Sequence, residues 1–160
     1  MNKTTLGALL VLVLAVGLGS FVLRGSRTSE QKLINGEPVI ATVYKSSSCG
    51  CCGVWASYMK NEGYAVEIRD VEDIIKVKER LGVPGELTSC HTTEIGGYVV
   101  EGHIPEEAIE KLLTERPDIK GIGMYGMPQG SPGMPGPKAG PFVIYEINRD
   151  GTKGEVFVTI

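Results

Sequence analysis

Hydrophobic positions in this chain fall into short blocks separated by polar, glycine-rich punctuation, and the spacing inside the blocks changes along the sequence. The first block, Thr5 to Leu23, is apolar without interruption and sits behind Lys3. That is the order of a secretory signal, and the run is also long enough to span a bilayer. We read 1–27 as a signal peptide or N-terminal membrane anchor, with 5–23 as its apolar part. Residues 24–37, "RGSRTSEQKLINGE", are polar and rich in turn formers, and read as a tether whose linker portion is 28–37. The folded domain is then expected over 38–160.

Within that domain the period alternates between strand and helix. "PVIATVYKS" (Pro38 to Ser46) is short, apolar and β-branched, which predicts a strand. "GVWASYMKNEG" spaces Val54, Trp55, Tyr58 and Met59 helically and ends on Gly63. "YAVEIRDV" (Tyr64 to Val71) predicts a second strand. "EDIIKVKERLG" (Glu72 to Gly82) puts Ile74, Ile75, Val77, Lys78 and Leu81 at helical spacing, a solvated face above a core stripe. Strands follow at Ser89 to Ile95 and Tyr98 to Glu101 around a Gly-Gly turn. A helix begins at Pro105 with acidic residues in its first turn. Gly121 to Pro141 is saturated with Gly and Pro and predicts no regular structure. "FVIYEI" and "EVFVTI" predict a hairpin turning at Asp150-Gly151.

The order β-α-β-α-β-β-α, with cysteines where the first strand meets the first helix, is the thioredoxin arrangement. The stretch "GGYVVEGHIPEEAIEKLL" looks like the glutaredoxin end of that fold, where a hairpin leads into the last helix. The expectation is an α/β, thioredoxin-like (glutaredoxin-like) mixed sheet with flanking helices. To it are appended a Gly/Pro/Met-rich loop and a hairpin.

Composition adds two constraints. The formal net charge is −3, and the first 28 residues hold Lys3, Arg24 and Arg27 with no acidic residue, so the remainder is more acidic still. An acidic surface argues against nucleic acid, which is bound through clustered Lys and Arg. Cysteine is the second constraint. Outside the cytoplasm thiols tend toward disulfides, so crowded thiols there need a reason to stay reduced.

Three of the four cysteines, Cys49, Cys51 and Cys52, lie in "SSSCGCC". A helix starting there favours thiolate over thiol through its free N–H groups and dipole. Cys49 and Cys52 alone would make a C-x-x-C redox pair. Cys51 and Cys52, as neighbours, are poor disulfide partners. The fourth, Cys90 in "TSCHT", stands where the thioredoxin fold normally carries a cis-proline facing the redox pair. If that alignment holds, four sulfurs meet. Such a set suits Cu(I), zinc or an iron–sulfur cluster. Common zinc signatures, a second C-x-x-C or an H-x-x-x-H, are missing. Met124, Met127 and Met134, concentrated in an irregular loop, tip the balance toward copper. Two stabilising disulfides would be the plainest alternative in an exported domain.

Around these residues, His91 reads as a packing neighbour because adjacent strand residues face opposite ways. His103 reads as a turn residue with its ring in solvent. Met59 and Trp55 read as core. "GELTSC" lacks the Gly-Lys-Ser/Thr ending of a phosphate loop, which sets nucleotide binding aside.

"VYKSSSCGCCGVW", "RLGVPGELTSCHTTEIGGYVVEGHIP" and "GMPQGSPGM" together resemble the family of small exported copper-resistance proteins typified by CopG, over about Ala41 to Met134. The resemblance implies a copper cluster bridged by Cys49, Cys51, Cys52 and Cys90, with Met127 or Met134 as a thioether ligand. The preferred expectation is several Cu(I) ions per chain, in a protein that the leader at 1–27 places in the periplasm or at the cell surface, with a copper chaperone or efflux system as the candidate partner. The competing expectation is a thiol–disulfide oxidoreductase acting through Cys49 and Cys52.

Overall fold

The computed structural model describes residues 31–160. The leader expected over 1–27 lies outside the described residues, among which no helix is long and apolar enough to cross a membrane.

Two short strands, β1 (Leu33–Ile34) and β2 (Glu37–Pro38), open the described chain as an antiparallel hairpin. Here the structure departs from the expected tether. Asn35 and Gly36 both adopt positive φ, 54° and 84°, the geometry that an Asn-Gly pair supplies to a tight hairpin turn. Lys32 docks this segment through Glu106 at 2.8 Å and Glu110 at 2.9 Å, and Ile34 packs on the main core.

The main sheet has seven strands in the order β4-β3-β5-β6-β7-β8-β9. Strand β3 (Ile40–Lys45) leads into helix α1 (Gly50–Asn61), which crosses back to the parallel strand β4 (Ala65–Asp70). Helix α2 (Ile74–Leu81) starts at Asp73, whose carboxylate accepts the N–H groups of Ile75 and Lys76, and stops at Gly82 in the left-handed region. A 3-10 turn (Gly85–Leu87) precedes β5 (His91–Ile95), which pairs antiparallel with β3 and, through the Gly96-Gly97 turn, with β6 (Tyr98–Glu101). Helix α3 (Glu106–Glu115) returns to β7 (Gly121–Gly123), parallel to β6. Pro105 is its N-cap rather than its first helical residue.

Strand β7 corrects the reading of Gly121 onward as irregular. A Cβ on Gly121 would lie inside contact distance of the Val99 carbonyl, so glycine lets this strand approach β6 closely. Through β7 the terminal hairpin, β8 (Val143–Ile147) and β9 (Lys153–Thr159), continues the same sheet instead of standing apart.

Burial explains which elements are firm. Helix α1 turns Cys52, Trp55, Ala56 and Met59 inward at helical spacing, while Val54 faces outward. Trp55 and Met59 join Val43, Ile95, Val100, Ile104, Ile109 and Leu112 in the main core. Each such side chain, fully buried, contributes about 1.5–3 kcal/mol. A smaller cluster, Leu87, Val99 and Ile147, is flanked by Leu81, Val83 and Tyr145. The result is a mixed α/β domain whose helix α1 begins beside the turn that leads into β5.

Candidate metal centre

Cys49 is the N-cap of α1 and has no side-chain capping hydrogen bond, so Cys51 and Cys52 occupy the helix's first turn. Cys52 faces the core, whereas Cys49 and Cys51 are half-buried at the rim. Cys90 approaches from the turn before β5. The four sulfurs lie within 4.8 Å of one another. Cys49 and Cys52 form a disulfide, and Cys51 and Cys90 are free. Cys51 Sγ stands between the two halves, 3.6 Å from Cys49 Sγ and 3.9 Å from Cys90 Sγ. Burial, then the neighbouring Cys51, pushes the Cys90 thiol up to about 12. Cys90 lies across from the start of α1, on the turn that leads into β5. Taking a cation is what would most readily draw the Cys90 proton away.

Two histidines complete the surroundings, and here the structure overturns the sequence expectation. His103, read as a solvent-facing turn residue, is fully buried, with Nε2 2.9 Å from Cys90 Sγ. Its Nδ1 lies 2.7 Å from the Pro132 carbonyl oxygen. A carbonyl only accepts, so Nδ1 carries the proton and the Nε2 lone pair points at the sulfur. Metal-binding histidines are commonly held in this way. His91 is also fully buried, with Nδ1 3.7 Å from Cys90 Sγ and Nε2 without a partner among the described residues. Its ring packs on Trp55, with centroids 4.5 Å apart, and meets His103 edge-on at 4.9 Å. Burial lowers both imidazole pKa values, aided at His91 by His103 and Lys78 and opposed at His103 by the Pro132 carbonyl. Both shifts favour the neutral imidazole. Cys90, His91 and His103 form a second group whose donor atoms lie within 4.8 Å of one another.

A signal for His103 was present in the sequence. The Gly96-Gly97 turn pairs Ile95 with Tyr98 and Thr92 with Glu101. Extending that register by two residues sets Cys90 opposite His103, and the Gly102 N–H to His91 carbonyl bond (3.0 Å) continues the ladder in that direction.

The methionine loop meets the same place from a third side. A Cβ on Gly133 would come 2.8 Å from the Cys51 carbonyl oxygen, 3.0 Å from the Trp55 nitrogen and 3.1 Å from His103 Nδ1. The loop thus packs directly on the start of α1, with half-buried Met134 as its next residue. Turn hydrogen bonds order it, among them Met134 N–H to the Ser131 carbonyl at 2.8 Å. Met127 is 49% exposed, and Met124 is part of the core.

Chemically, the arrangement can open and close a disulfide at Cys49 and Cys52. It can also collect soft or borderline cations on four sulfurs and two neutral imidazoles. The family described as "Protein of unknown function, DUF411" matches residues 87–134, the span holding Cys90, both histidines and the loop. No curated protein matches the chain. Among solved structures, two forms of "Copper resistance protein copG" align with a TM-score of 0.71 and 38% identity over 78% of this chain. The alignments cover 99% of the Form 2 chain and 98% of the Form 1 chain. Identity at that level, sustained across nearly the whole of both relatives, goes well beyond a shared fold, and this chain belongs to the CopG family of copper resistance proteins.

Proposed function

We propose that this chain is an extracytoplasmic copper-binding protein of copper resistance, holding several Cu(I) ions in a cysteine-bridged cluster at the end of a thioredoxin-like core. The observation that carries the reading is the convergence of four sulfurs within 4.8 Å. The pairing of β3 with parallel β4 and antiparallel β5, followed by β6, supports the thioredoxin-like assignment. A leader over 1–27 and a disulfide at Cys49 and Cys52 both suit an oxidising compartment.

In this reading Cys49, Cys51, Cys52 and Cys90 bridge the ions, because each thiolate can bind two soft cations and offset their mutual repulsion. His103 adds a nitrogen through its free Nε2. Met134 is the thioether, since Gly133 brings its backbone against α1, and Met127 is the other candidate. Copper entry requires the Cys49–Cys52 disulfide to open, which takes two electrons. An external dithiol supplies them by exchange, closing to its own disulfide. In the reverse sense the two thiolates give one electron each to two Cu(II) ions, re-forming the Cys49–Cys52 disulfide and yielding Cu(I), so redox exchange and binding share one set of atoms. Transfer to a copper chaperone or efflux partner would use the same residues.

The test is anaerobic Cu(I) loading of the reduced full chain, desalting and elemental analysis. Several coppers per chain, lost in Cys90→Ser and reduced in His103→Ala, are expected. Fewer than one copper per chain would sink the reading. The disulfide favours a second reading, a thiol–disulfide oxidoreductase. That activity would survive Cys90→Ser and disappear with Cys49→Ser in a disulfide-reduction assay.

A further inference from the structure

Helix α2 carries a lysine on the stripe that faces the sheet. Lys78 follows Ile74 by four residues, and its side chain turns inward until only 3% of the residue is exposed. An isolated ammonium in that position would be very costly. Its partner is Glu101 at the end of β6, 0% exposed, with Lys78 Nζ 2.5 Å from Oε1. Lys78 also donates to Thr92 Oγ1 at 3.0 Å, and that hydroxyl donates to Glu101 Oε2 at 2.6 Å. A buried ion pair is weak evidence of stability, because desolvation offsets the attraction. What the carboxylate holds is more informative.

Glu101 Oε1 accepts one further hydrogen bond, from the backbone N–H of Ser89 at 2.7 Å. Ser89 is the residue before Cys90. Its hydroxyl donates to the Gly126 carbonyl at 2.5 Å, and the Gly126 N–H returns to the Thr88 carbonyl at 3.3 Å. The Met124 N–H donates to the Glu101 carbonyl at 3.2 Å. From Glu101 the chain runs directly to His103. One buried residue, its carboxylate neutralised from a separate helix and its main-chain carbonyl taken by Met124, therefore stands at the junction of three segments. These are the Cys90 turn, the strand end before His103 and the start of the loop carrying Met127.

We infer that Glu101, held by Lys78, is a positioning residue of the metal centre: by accepting the Ser89 N–H it sets the Cys90 turn against Cys51. The inference extends the copper reading above, but the placement of Cys90 is measurable without copper.

The test uses the full chain in two variants. Lys78→Met/Glu101→Leu replaces both charges with apolar groups of comparable bulk, an exchange that folded proteins often tolerate. It leaves the Ser89 N–H without its acceptor. Glu101→Gln keeps an oxygen for that N–H and serves as the conservative rescue. In the reduced, metal-free chain, alkylation by iodoacetamide is followed separately at Cys90 and Cys51 by peptide mass spectrometry. Cu(I) affinity is measured by competition with a chromogenic chelator. In the folded double variant the Cys90-to-Cys51 alkylation ratio is expected to rise severalfold and Cu(I) affinity to fall about tenfold or more, the range for a residue that orients a metal ligand. Glu101→Gln is expected to stay near wild type in both. An unchanged alkylation ratio, or wild-type copper affinity, in the folded double variant overturns the inference. If that variant does not fold, Lys78→Leu/Glu101→Met takes its place and is read by the same two outcomes, and a severalfold rise in the Glu101→Gln ratio overturns the inference in either case. If the wild-type chain takes no Cu(I), the copper reading fails while the alkylation result still decides the placement.

Discussion

Replacing Gly133 with alanine tests whether the methionine loop is seated on the start of α1. Gly133 has φ +85°, a left-handed conformation that costs an L-residue about 1–2 kcal/mol. The added Cβ also meets two backbone atoms, the Cys51 carbonyl oxygen at 2.8 Å and the Trp55 nitrogen at 3.0 Å. Neither can retreat without opening the first turn of α1, and overpacking of this kind costs about 1–3 kcal/mol. The third neighbour, His103 Nδ1, is tied to Pro132 and moves only by losing that bond. Gly126 is the matched control. It has φ +70° with nothing within 4 Å of a new Cβ, so Gly126→Ala carries the conformational cost alone. The expected difference between the two variants is therefore about 1–3 kcal/mol, read from urea midpoints of the full chain. At a slope of about 1–3 kcal/mol per molar urea, that difference is a readily measured shift. If the loop instead lifts to relieve the clash, the stability gap narrows and Cu(I) affinity drops, because the loop carrying Met134 no longer faces the cysteines. Gly133→Ala matching Gly126→Ala in both midpoint and copper affinity would refute the reasoning.

Other perturbations probe separate parts of the molecule. Trp55→Phe removes the indole donor to the buried Ile104 carbonyl (3.0 Å) and should lower the unfolding free energy by about 2 kcal/mol in urea titrations, with strand and helix content unchanged by circular dichroism. Met134→Leu should weaken Cu(I) binding more than Met127→Leu in chelator competition, with equal thermal stability in the two variants. Asp73 has its carboxyl held below the usual range by the Lys76 N–H above all, with support from the Lys76 side chain and the Ile75 N–H. A depressed folded-state pKa stabilises above the ordinary aspartate value, and the benefit is lost as pH falls through the folded value. Asp73→Ala should thus be less stable than wild type at pH 7, and the gap should close below about pH 4 in paired unfolding curves.

Local patterns were sufficient for much of the architecture. The β-branched run at Ile40–Lys45, the Gly82 stop of α2, the Gly-Gly hairpin and the Asp150-Gly151 turn each depend on neighbours within a few residues. Three cysteines within one helical turn were equally legible, because a helix places its first residues together whatever surrounds it. The Asn35-Gly36 turn was also written locally, but the polar residues around it read as a linker. Its hairpin is held by Lys32 reaching Glu106 and Glu110, far along the chain.

Tertiary structure decided what depends on partners distant in sequence. Composition marks Gly121–Gly123 as loop, and only the gap beside Val99 makes it a strand. Spacing puts Lys78 with the apolar positions of α2, but only Glu101 and Thr92, distant in sequence, give its ammonium partners there. His103 looks solvated until the hairpin register sets it across from Cys90 and the Pro132 carbonyl fixes its proton. Residue types and local spacing determined that this chain carries soft donor atoms at the start of a helix. Which of them meet, and which are oriented by buried partners, is a matter of through-space packing. That packing is set by strand register, which the Gly96-Gly97 turn carries locally only for the hairpin that brings His103 to Cys90, and by close backbone approach, which has no signature within a single stretch of sequence.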